Sequence, residues 1–247
     1  MAGCEVKVVT ALLTNKAYGY PTRGSRRRRK PTILASLHQT ANAKATAMQE
    51  RNYANRTGSS GPSATAYIDC NGTTVRAIDP VKYAAWSQGD VAHPNNKLPT
   101  IAAAVASGVN MNEWVHESIE CSGSGTEPFT DAQFESVAQL VAAAHKATGL
   151  PITRSTVVVH ADVNSVSRRS DPWPPAIREA RVKRVIARAN AILRPPIVTV
   201  TVKSGDTLSE IASAHGLTLK ALLAFPENAK YRPNPGLIHP DDIVRVK

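Results

Sequence analysis

Aromatic residues and cysteines are scarce in this chain of 247 residues. Phe, Trp and Tyr together make up 5% of it, and there are three cysteines. Cys4, Cys70 and Cys121 are too few and too unevenly spaced for a disulfide framework or a CxxC metal site. We therefore expect reduced, mostly structural thiols and a core built from Ala, Val, Ile and Leu.

Long apolar segments are also missing. No run approaches the ~18 residues of a membrane-spanning helix. The N-terminus, MAGCEVKVVT, lacks the basic start and the roughly 7 to 15 residue apolar core of a secretion signal. We therefore expect no membrane span and a protein that is made and kept in the cytoplasm.

Acidic residues are outnumbered by basic ones. The chain has 30 Lys and Arg against 19 Asp and Glu, and its net charge is +11. This balance favours a polyanionic partner such as nucleic acid, a membrane surface or an anionic cell wall, without choosing among them. The basic run Arg26 to Lys30 suggests nucleic acid, but it lacks interleaved aromatic residues for base stacking, which favours a solvated loop.

Two short apolar runs each end on a histidine. The β-branched run Thr156 to Val159 predicts a buried strand that ends at His160. The run Ile33 to Leu37 has the same form and ends at His38. A predicted loop after His160 leads to Asp171, which directly precedes a proline. Because sites in open sheets form at the carboxyl ends of strands, the histidines share one rim if their strands are neighbours.

Two neutral imidazoles and one carboxylate are the ligands of a zinc site that leaves a position open for water. Spacing alone does not make the pattern specific. The chain has seven histidines, and a histidine at a strand end is commonly a hydrogen-bonded surface residue. His93, in the polar stretch HPNNKLPT, is a weaker candidate that faces solvent or substrate. A catalytic site and a structural role both remain open at this point.

Other segments predict the surrounding elements. Glu5 to Leu13 has the character of an edge strand. Asn71-Gly72, between two short β-rich runs, predicts a hairpin. Thr130 to Gln133 forms a capping box that predicts the start of a helix, and a second helix is predicted from Ala176 to Leu193.

The pattern from residue 31 to 175 resembles the zinc amidases that cleave the N-acetylmuramoyl-L-alanine bond and are related in fold to peptidoglycan recognition proteins. The matching segments are LHQT, YIDCNGT, the AW of Ala85-Trp86, SIE, VVVH and RRSDP. The resemblance implies an α/β fold with a mixed central sheet flanked by helices. It also implies that Zn²⁺ is held by His38, His160 and Asp171.

The same resemblance implies a mechanism in which zinc-activated water attacks the amide between the muramoyl group and L-alanine. Glu120 falls at the catalytic glutamate of the family. Arg169 stands where the family often has a lysine that stabilises the oxyanion, and arginine keeps the charge with a different donor geometry. The candidate substrate contacts are Trp86, Thr65, Tyr67 and His93. For Trp86, packing of the indole in the core is an equal alternative to contact with substrate.

A stiff break at Arg194-Pro195-Pro196 predicts a catalytic domain at 1–194, a linker at 195–198 and a second domain at 199–247. The stretch from Val202 to Ala212, VKSGDTLSEIA, resembles a LysM module, a small βααβ domain. Near the end, Asp241 stands where that family usually has Gly, which leaves the form of the last turn open.

The LysM resemblance implies binding of N-acetylglucosamine-containing glycans through two loops. The implied contacts are Gly205, Asp206 and Thr207 in the first loop and Pro226, Glu227, Asn228 and Ala229 in the second. Gly205 and Asp206 are also expected to shape a turn, with Asp206 or Thr207 capping the helix that follows.

Together these features predict a peptidoglycan hydrolase: an endolysin-like amidase that accumulates in the cytoplasm of a phage-infected cell and reaches the wall once the membrane is opened. We expect a monomer without a specific nucleic-acid partner. The main alternative is a non-catalytic peptidoglycan receptor, which would be expected to lose a zinc ligand or Glu120, whereas this chain keeps all four. A basic nucleic-acid-binding protein explains neither the LysM motif nor the paired histidines.

Overall fold

The computed structural model describes residues 8–12, 29–40, 42–56, 62–88, 91, 93–124, 127–194 and 197–247. The chain divides into two compact units between Leu193 and Arg194. The first unit contains a six-stranded mixed sheet flanked by helices, and the second contains a two-stranded sheet with short helices. The predicted α/β class is confirmed. Cys4, residues 26–28 of the basic run and the prolines of the predicted linker lie outside the described residues.

The strands of the first unit are β1 (Val8–Thr10), β2 (Ile33–Gln39), β3 (Ala66–Ile68), β4 (Thr74–Arg76), β5 (Val115–Cys121) and β6 (Val157–Val159). Their order in the sheet is β1-β4-β3-β5-β2-β6. β3 and β4 form the antiparallel hairpin predicted around Asn71-Gly72, and the other neighbouring pairs are parallel. β1 is the predicted edge strand, of which residues 5–7 and 13 are not described.

The helices are α1 (Ala47–Arg56), α2 (Pro99–Ala106), α3 (Asp131–Thr148), α4 (His160–Val163) and α5 (Pro175–Leu193), with a 3-10 helix at Met111–Trp114. α3 begins with the predicted capping box, in which Thr130 and Gln133 each accept the backbone N–H of the other. The sequence interpretation missed α2, which is short and buries only Ile101 and Ala104. α4 opens the segment that was predicted as a loop.

The two faces of the sheet pack against different helices. Val157 and Val159 belong to the core formed with α3 and α5, whereas Val158 packs with Ile101 of α2, as alternation along a strand requires. β2 is buried along its whole length between β5 and β6. The strand that carries His38 is therefore shielded from water on both faces.

The second unit contains β7 (Thr199–Thr201), α6 (Leu208–Ala214), α7 (Leu219–Ala224), a 3-10 helix (Pro226–Tyr231) and β8 (Ile243–Arg245). β7 and β8 pair in the antiparallel direction, and Thr207 caps α6. Asp241 has a φ of 72°. It thus adopts the left-handed conformation that glycine enters most readily, which accounts for the glycine usual in that family.

Within the described ranges, no helix combines the length and the apolar character needed to cross a membrane.

Candidate metal centre and active-site cavity

His38 and His160 meet at the carboxyl end of the sheet. β2 and β6 are parallel neighbours with Leu37 opposite Val159, as the sequence interpretation required. His38 lies near the end of β2, and His160 begins α4 directly after β6. Their Nδ1 atoms are 3.0 Å apart. Two strands that are far apart in sequence thus bring two imidazoles together.

Asp171 completes the group from the turn that follows α4. Its Oδ2 lies 3.0 Å from His160 Nδ1 and 4.0 Å from His38 Nδ1. Its Oδ1 accepts the N–H of Gln39 at 2.9 Å, and its backbone carbonyl accepts the N–H of Ala161 at 2.9 Å. These bonds attach the turn to the end of β2 and to α4, so the carboxylate is held beside the two imidazoles.

The ionisation of these side chains suits a cation. Burial, followed by the proximity of His160, lowers the pKa of His38 to about 3, so this imidazole is neutral at neutral pH. Burial tends to raise the pKa of Asp171, but the hydrogen bond from His160 and the proximity of His38 outweigh it, and the pKa lies below its ordinary value. A neutral imidazole and an ionised carboxylate are the forms that bind metals. The three donor atoms lie within 4.8 Å of one another and could hold a metal ion.

A cavity of about 920 Å³ is lined by these three side chains and by Glu120. Glu120 on β5 lies opposite His38 on β2 and opposite Tyr67 on β3. Burial, and then the negative charge of Asp171, raise the pKa of Glu120 well above its ordinary value, while Arg168 opposes the shift. A carboxyl group with a raised pKa is suited to take up and release a proton near neutral pH.

Of the two adjacent arginines in the turn, Arg168 lines the cavity. Its charge lowers the pKa of both His38 and Glu120, which places the guanidinium near the centre. The backbone carbonyl of Arg169 accepts a hydrogen bond from Arg178, and Arg169 is not among the described residues that line the cavity. The sequence interpretation chose Arg169 by alignment with the family.

Thr65, a predicted substrate contact, belongs to a buried polar cluster. Its hydroxyl donates to Glu117 at 2.5 Å and accepts the N–H of Ser118 at 2.9 Å. Glu117 is in turn paired with Arg76 at 2.7 Å. The Thr65 hydroxyl is thus engaged inside the fold, and Thr65 is absent from the described lining of the cavity.

The other predicted contacts are placed differently. Tyr67 lines the cavity, and its hydroxyl accepts the N–H of Ala64 at 3.1 Å. Trp86 is half-buried and His93 is exposed, and the described lining residues include neither. α1 contributes lining residues that the sequence did not indicate: Gln49, Glu50, Asn52, Tyr53 and Ala54.

The first predicted sugar loop of the second unit is a turn into α6. Gly205 has a φ of 91°, which requires little strain only in glycine. The Asp206 carboxylate accepts the N–H of Lys203 at 2.7 Å. Gly205 and Thr207 are exposed and Asp206 is partly buried, so these residues shape the turn and remain accessible.

The second predicted sugar loop is the 3-10 helix Pro226–Tyr231. Asn228 is fully buried there. Its amide nitrogen donates to the carbonyls of Leu222 and Arg245, both at 2.8 Å, and its oxygen accepts the N–H of Arg245 at 2.9 Å. Asn228 therefore joins α7 to β8 from inside the unit. The exposed members of this loop are Pro226, Glu227 and Ala229.

The fold and the site define an α/β protein with a His-His-Asp group that could hold a metal ion at the carboxyl edge of a mixed sheet. The Amidase_2 family, described as N-acetylmuramoyl-L-alanine amidase, matches residues 28–174, and the chain belongs to this family. The LysM domain family matches residues 200–246. The protein is therefore a peptidoglycan amidase that also carries a LysM domain.

Solved structures share the fold of the first unit. The PlyG catalytic domain is 15% identical, with 77% of this chain and 100% of that chain covered and a TM-score of 0.51. A mutant endolysin from Bacillus subtilis is 15% identical, with 74% and 99% covered and a TM-score of 0.51. The Staphylococcus aureus hydrolase AmiA, in complex with its ligand, is 16% identical, with 78% and 86% covered and a TM-score of 0.50. A comparison with curated proteins finds no match.

Proposed function

We propose that the amidase is zinc-dependent and that His38, His160 and Asp171 hold the ion. The observation that carries this proposal is the convergence of two imidazole nitrogens and one carboxylate oxygen. In a tetrahedral site with Zn–N bonds of about 2.0–2.1 Å, neighbouring donors are about 3.3 Å apart. Two of the separations here are 3.0 Å and the third, between His38 Nδ1 and Asp171 Oδ2, is 4.0 Å. The donor set fits zinc and leaves one coordination position open.

The residues around the cavity have distinct proposed roles in amide cleavage. When bound, Zn²⁺ polarises the scissile carbonyl and lowers the pKa of a water molecule to about 7. Glu120 accepts the proton of the attacking water and returns a proton to the leaving amine of L-alanine. A guanidinium of the Arg168-Arg169 pair stabilises the negative charge that develops on the carbonyl oxygen. The position of Arg168 in the cavity supports giving it that role.

Metal removal tests the zinc proposal. Incubation of purified peptidoglycan with the protein is expected to produce new N-terminal alanine, because cleavage frees the amine of that residue. A chelator should abolish the product and added Zn²⁺ should restore it. The chelator should also lower the melting temperature, since an ion that binds only the folded state stabilises it.

Other end groups would lead to different conclusions. New reducing sugar ends would identify a glycosidase and contradict the assigned roles. Retention on sacculi without any new end group would favour the non-catalytic receptor.

Paired substitutions distinguish the two arginines. Arg168→Ala is expected to lower kcat on the order of 100-fold, since loss of one group that stabilises an oxyanion typically costs 10²- to 10³-fold. Arg169→Ala removes the same charge from the adjacent position and should change kcat little. Initial rates on a soluble muramoyl peptide measure both effects. The opposite order would return the role to Arg169, as the family resemblance implied.

We also propose an endolysin-like role for the whole chain. The LysM domain binds N-acetylglucosamine-containing glycan and holds the enzyme on the wall, which raises the effective concentration of the amidase at its substrate. The net charge of +11 adds attraction to an anionic wall. The protein would act as a monomer, made in the cytoplasm of a phage-infected cell and released to the wall when the membrane opens. Retention on purified sacculi in the presence of competing DNA measures this targeting.

A further inference from the structure

A buried polar network surrounds the outer nitrogen of His38. Ser36 Oγ and the side-chain amide of Gln88 each lie 3.1 Å from His38 Nε2. Ser36 Oγ also contacts Gln88 Oε1 at 3.3 Å, and the Gln88 amide nitrogen lies 2.9 Å from the hydroxyl of Ser87. Ser36 and Gln88 have no exposed surface, and 2% of His38 is exposed. These polar groups therefore form hydrogen bonds with one another rather than with water.

The backbone that carries Gln88 is fixed in turn. Asn112 Oδ1 accepts the N–H of Ser87 and the N–H of Gln88, both at 2.9 Å. Asn110 Oδ1 accepts the side-chain amide of Asn112 at 2.8 Å. A chain of buried hydrogen bonds thus runs from the 3-10 helix Met111–Trp114 to the imidazole of His38, and it restricts the position of the Gln88 side chain.

Metal binding through Nδ1 requires one tautomer of His38. Nδ1 faces the other two donors, so it must carry the lone pair while Nε2 carries the hydrogen. The carboxamide of Gln88 can accept that hydrogen when its oxygen faces the ring, since its oxygen and nitrogen exchange places by rotation about the last side-chain bond. In this orientation the oxygen also accepts from the Ser87 hydroxyl, and the nitrogen donates to Ser36. Every polar atom of the carboxamide then has a partner.

We propose that Gln88 is a positioning residue for the metal centre: its side-chain carbonyl accepts the Nε2–H of His38 and directs the Nδ1 lone pair at the ion. This inference rests on the proposed function, because it requires His38 to bind a metal. Gln88 is not among the described residues that line the cavity, so it acts through His38 and not on substrate.

Zinc affinity measured by chelator competition tests this role. Gln88→Met removes the acceptor with little change in volume, and its Kd for Zn²⁺ is expected to rise on the order of 10- to 100-fold, the usual effect of losing the outer partner of a metal-binding histidine. Gln88→Glu retains an acceptor and should bind Zn²⁺ at least as tightly as the wild type. Gln133→Met is the matched control. It removes another buried glutamine, bonded to the Ser122 carbonyl at 2.8 Å, and should leave the zinc affinity unchanged.

The outcomes separate this inference from the proposed function. A wild-type protein that binds no Zn²⁺ overturns both. If the wild type binds Zn²⁺ and Gln88→Met binds it equally well, only the positioning role is overturned. If Gln88→Met does not fold, nitrogen NMR of the zinc-loaded wild type decides. A hydrogen bond from His38 Nε2–H to the side-chain carbonyl of Gln88 is expected, and a hydrogen on Nδ1 or an Nε2–H donated to Ser36 instead overturns the proposal.

Discussion

Glu120→Gln is expected to lower kcat for amide cleavage by about 100- to 10,000-fold, the usual contribution of a general acid-base group. Glutamine has nearly the same size but cannot accept the proton of the attacking water. Glu120 is not one of the three converging donors, so the variant should bind Zn²⁺ as the wild type does. Single-turnover rates at matched zinc occupancy measure the loss.

The pH profile gives a second readout of the same role. Burial and Asp171 raise the pKa of Glu120, so its carboxylate form accumulates only as the pH rises through that raised value. We expect kcat/KM of the wild type to rise with pH along an acid limb and expect Glu120→Gln to lack this dependence.

Glu117→Gln is the matched control on the same strand. Glu117 is buried against Arg76, with 2.7 Å between Arg76 Nη1 and Glu117 Oε2. It is not among the described residues that line the cavity. This variant should lose stability, because it weakens a buried ion pair, while each folded molecule retains its kcat. A Glu120→Gln enzyme with wild-type kcat would contradict the assignment of the proton-transfer group.

Asn228→Ala is expected to unfold the LysM unit. The substitution removes two bonds to carbonyls and one to an N–H inside the unit. Each buried partner left without a hydrogen bond costs about 1–3 kcal/mol, so the three together cost on the order of 3–9 kcal/mol. A domain below about 70–80 residues rarely has more than about 3–5 kcal/mol of stability from its core. The loss therefore reaches or exceeds the expected stability of the unit.

Backbone NMR of the whole chain measures this effect. The signals of residues 199–247 should move to unfolded positions while those of the amidase unit stay in place, and retention on sacculi should fall. Glu227→Ala is the control for folding, since this exposed neighbour pairs with Arg245 at the surface, and exposed ion pairs contribute little to stability. If Asn228→Ala remains folded but loses glycan binding, the residue is a sugar contact, as the LysM resemblance implied.

The meeting of His38 and His160 could be predicted because the sequence signals of their strands are regular. Unbroken apolar runs before His38 and His160 predict buried strands, and the structure pairs those strands as neighbours. The loop after His160 and the proline that follows Asp171 indicated the carboxylate, whereas the family resemblance supplied Glu120, whose position no periodicity determines. The capping box at Thr130 needed only local sequence, since all of its hydrogen bonds lie within four residues.

Side chains without a local period could not be placed in this way. Arg168 and Arg169 are adjacent in a turn, and nothing in their spacing says which one turns inward. Asn228 lies in a short loop where the LysM resemblance implies a glycan contact. Its burial depends on β8, which lies 17 residues further along the chain. Gln88 meets Ser36 and Asn112 across 52 and 24 residues. Such contacts become visible only once the fold is known.

The three donor side chains lie on elements that differ in local stability. His38 lies on a strand that is buried between two others, whereas Asp171 lies on a turn attached through the N–H of Gln39 and the N–H of Ala161. Local opening of a turn requires far less free energy than opening the centre of a sheet. For an ion held there as proposed, exchange with solution is expected to proceed by release of Asp171, so that the residence time would be set by that turn and not by the global stability of the protein.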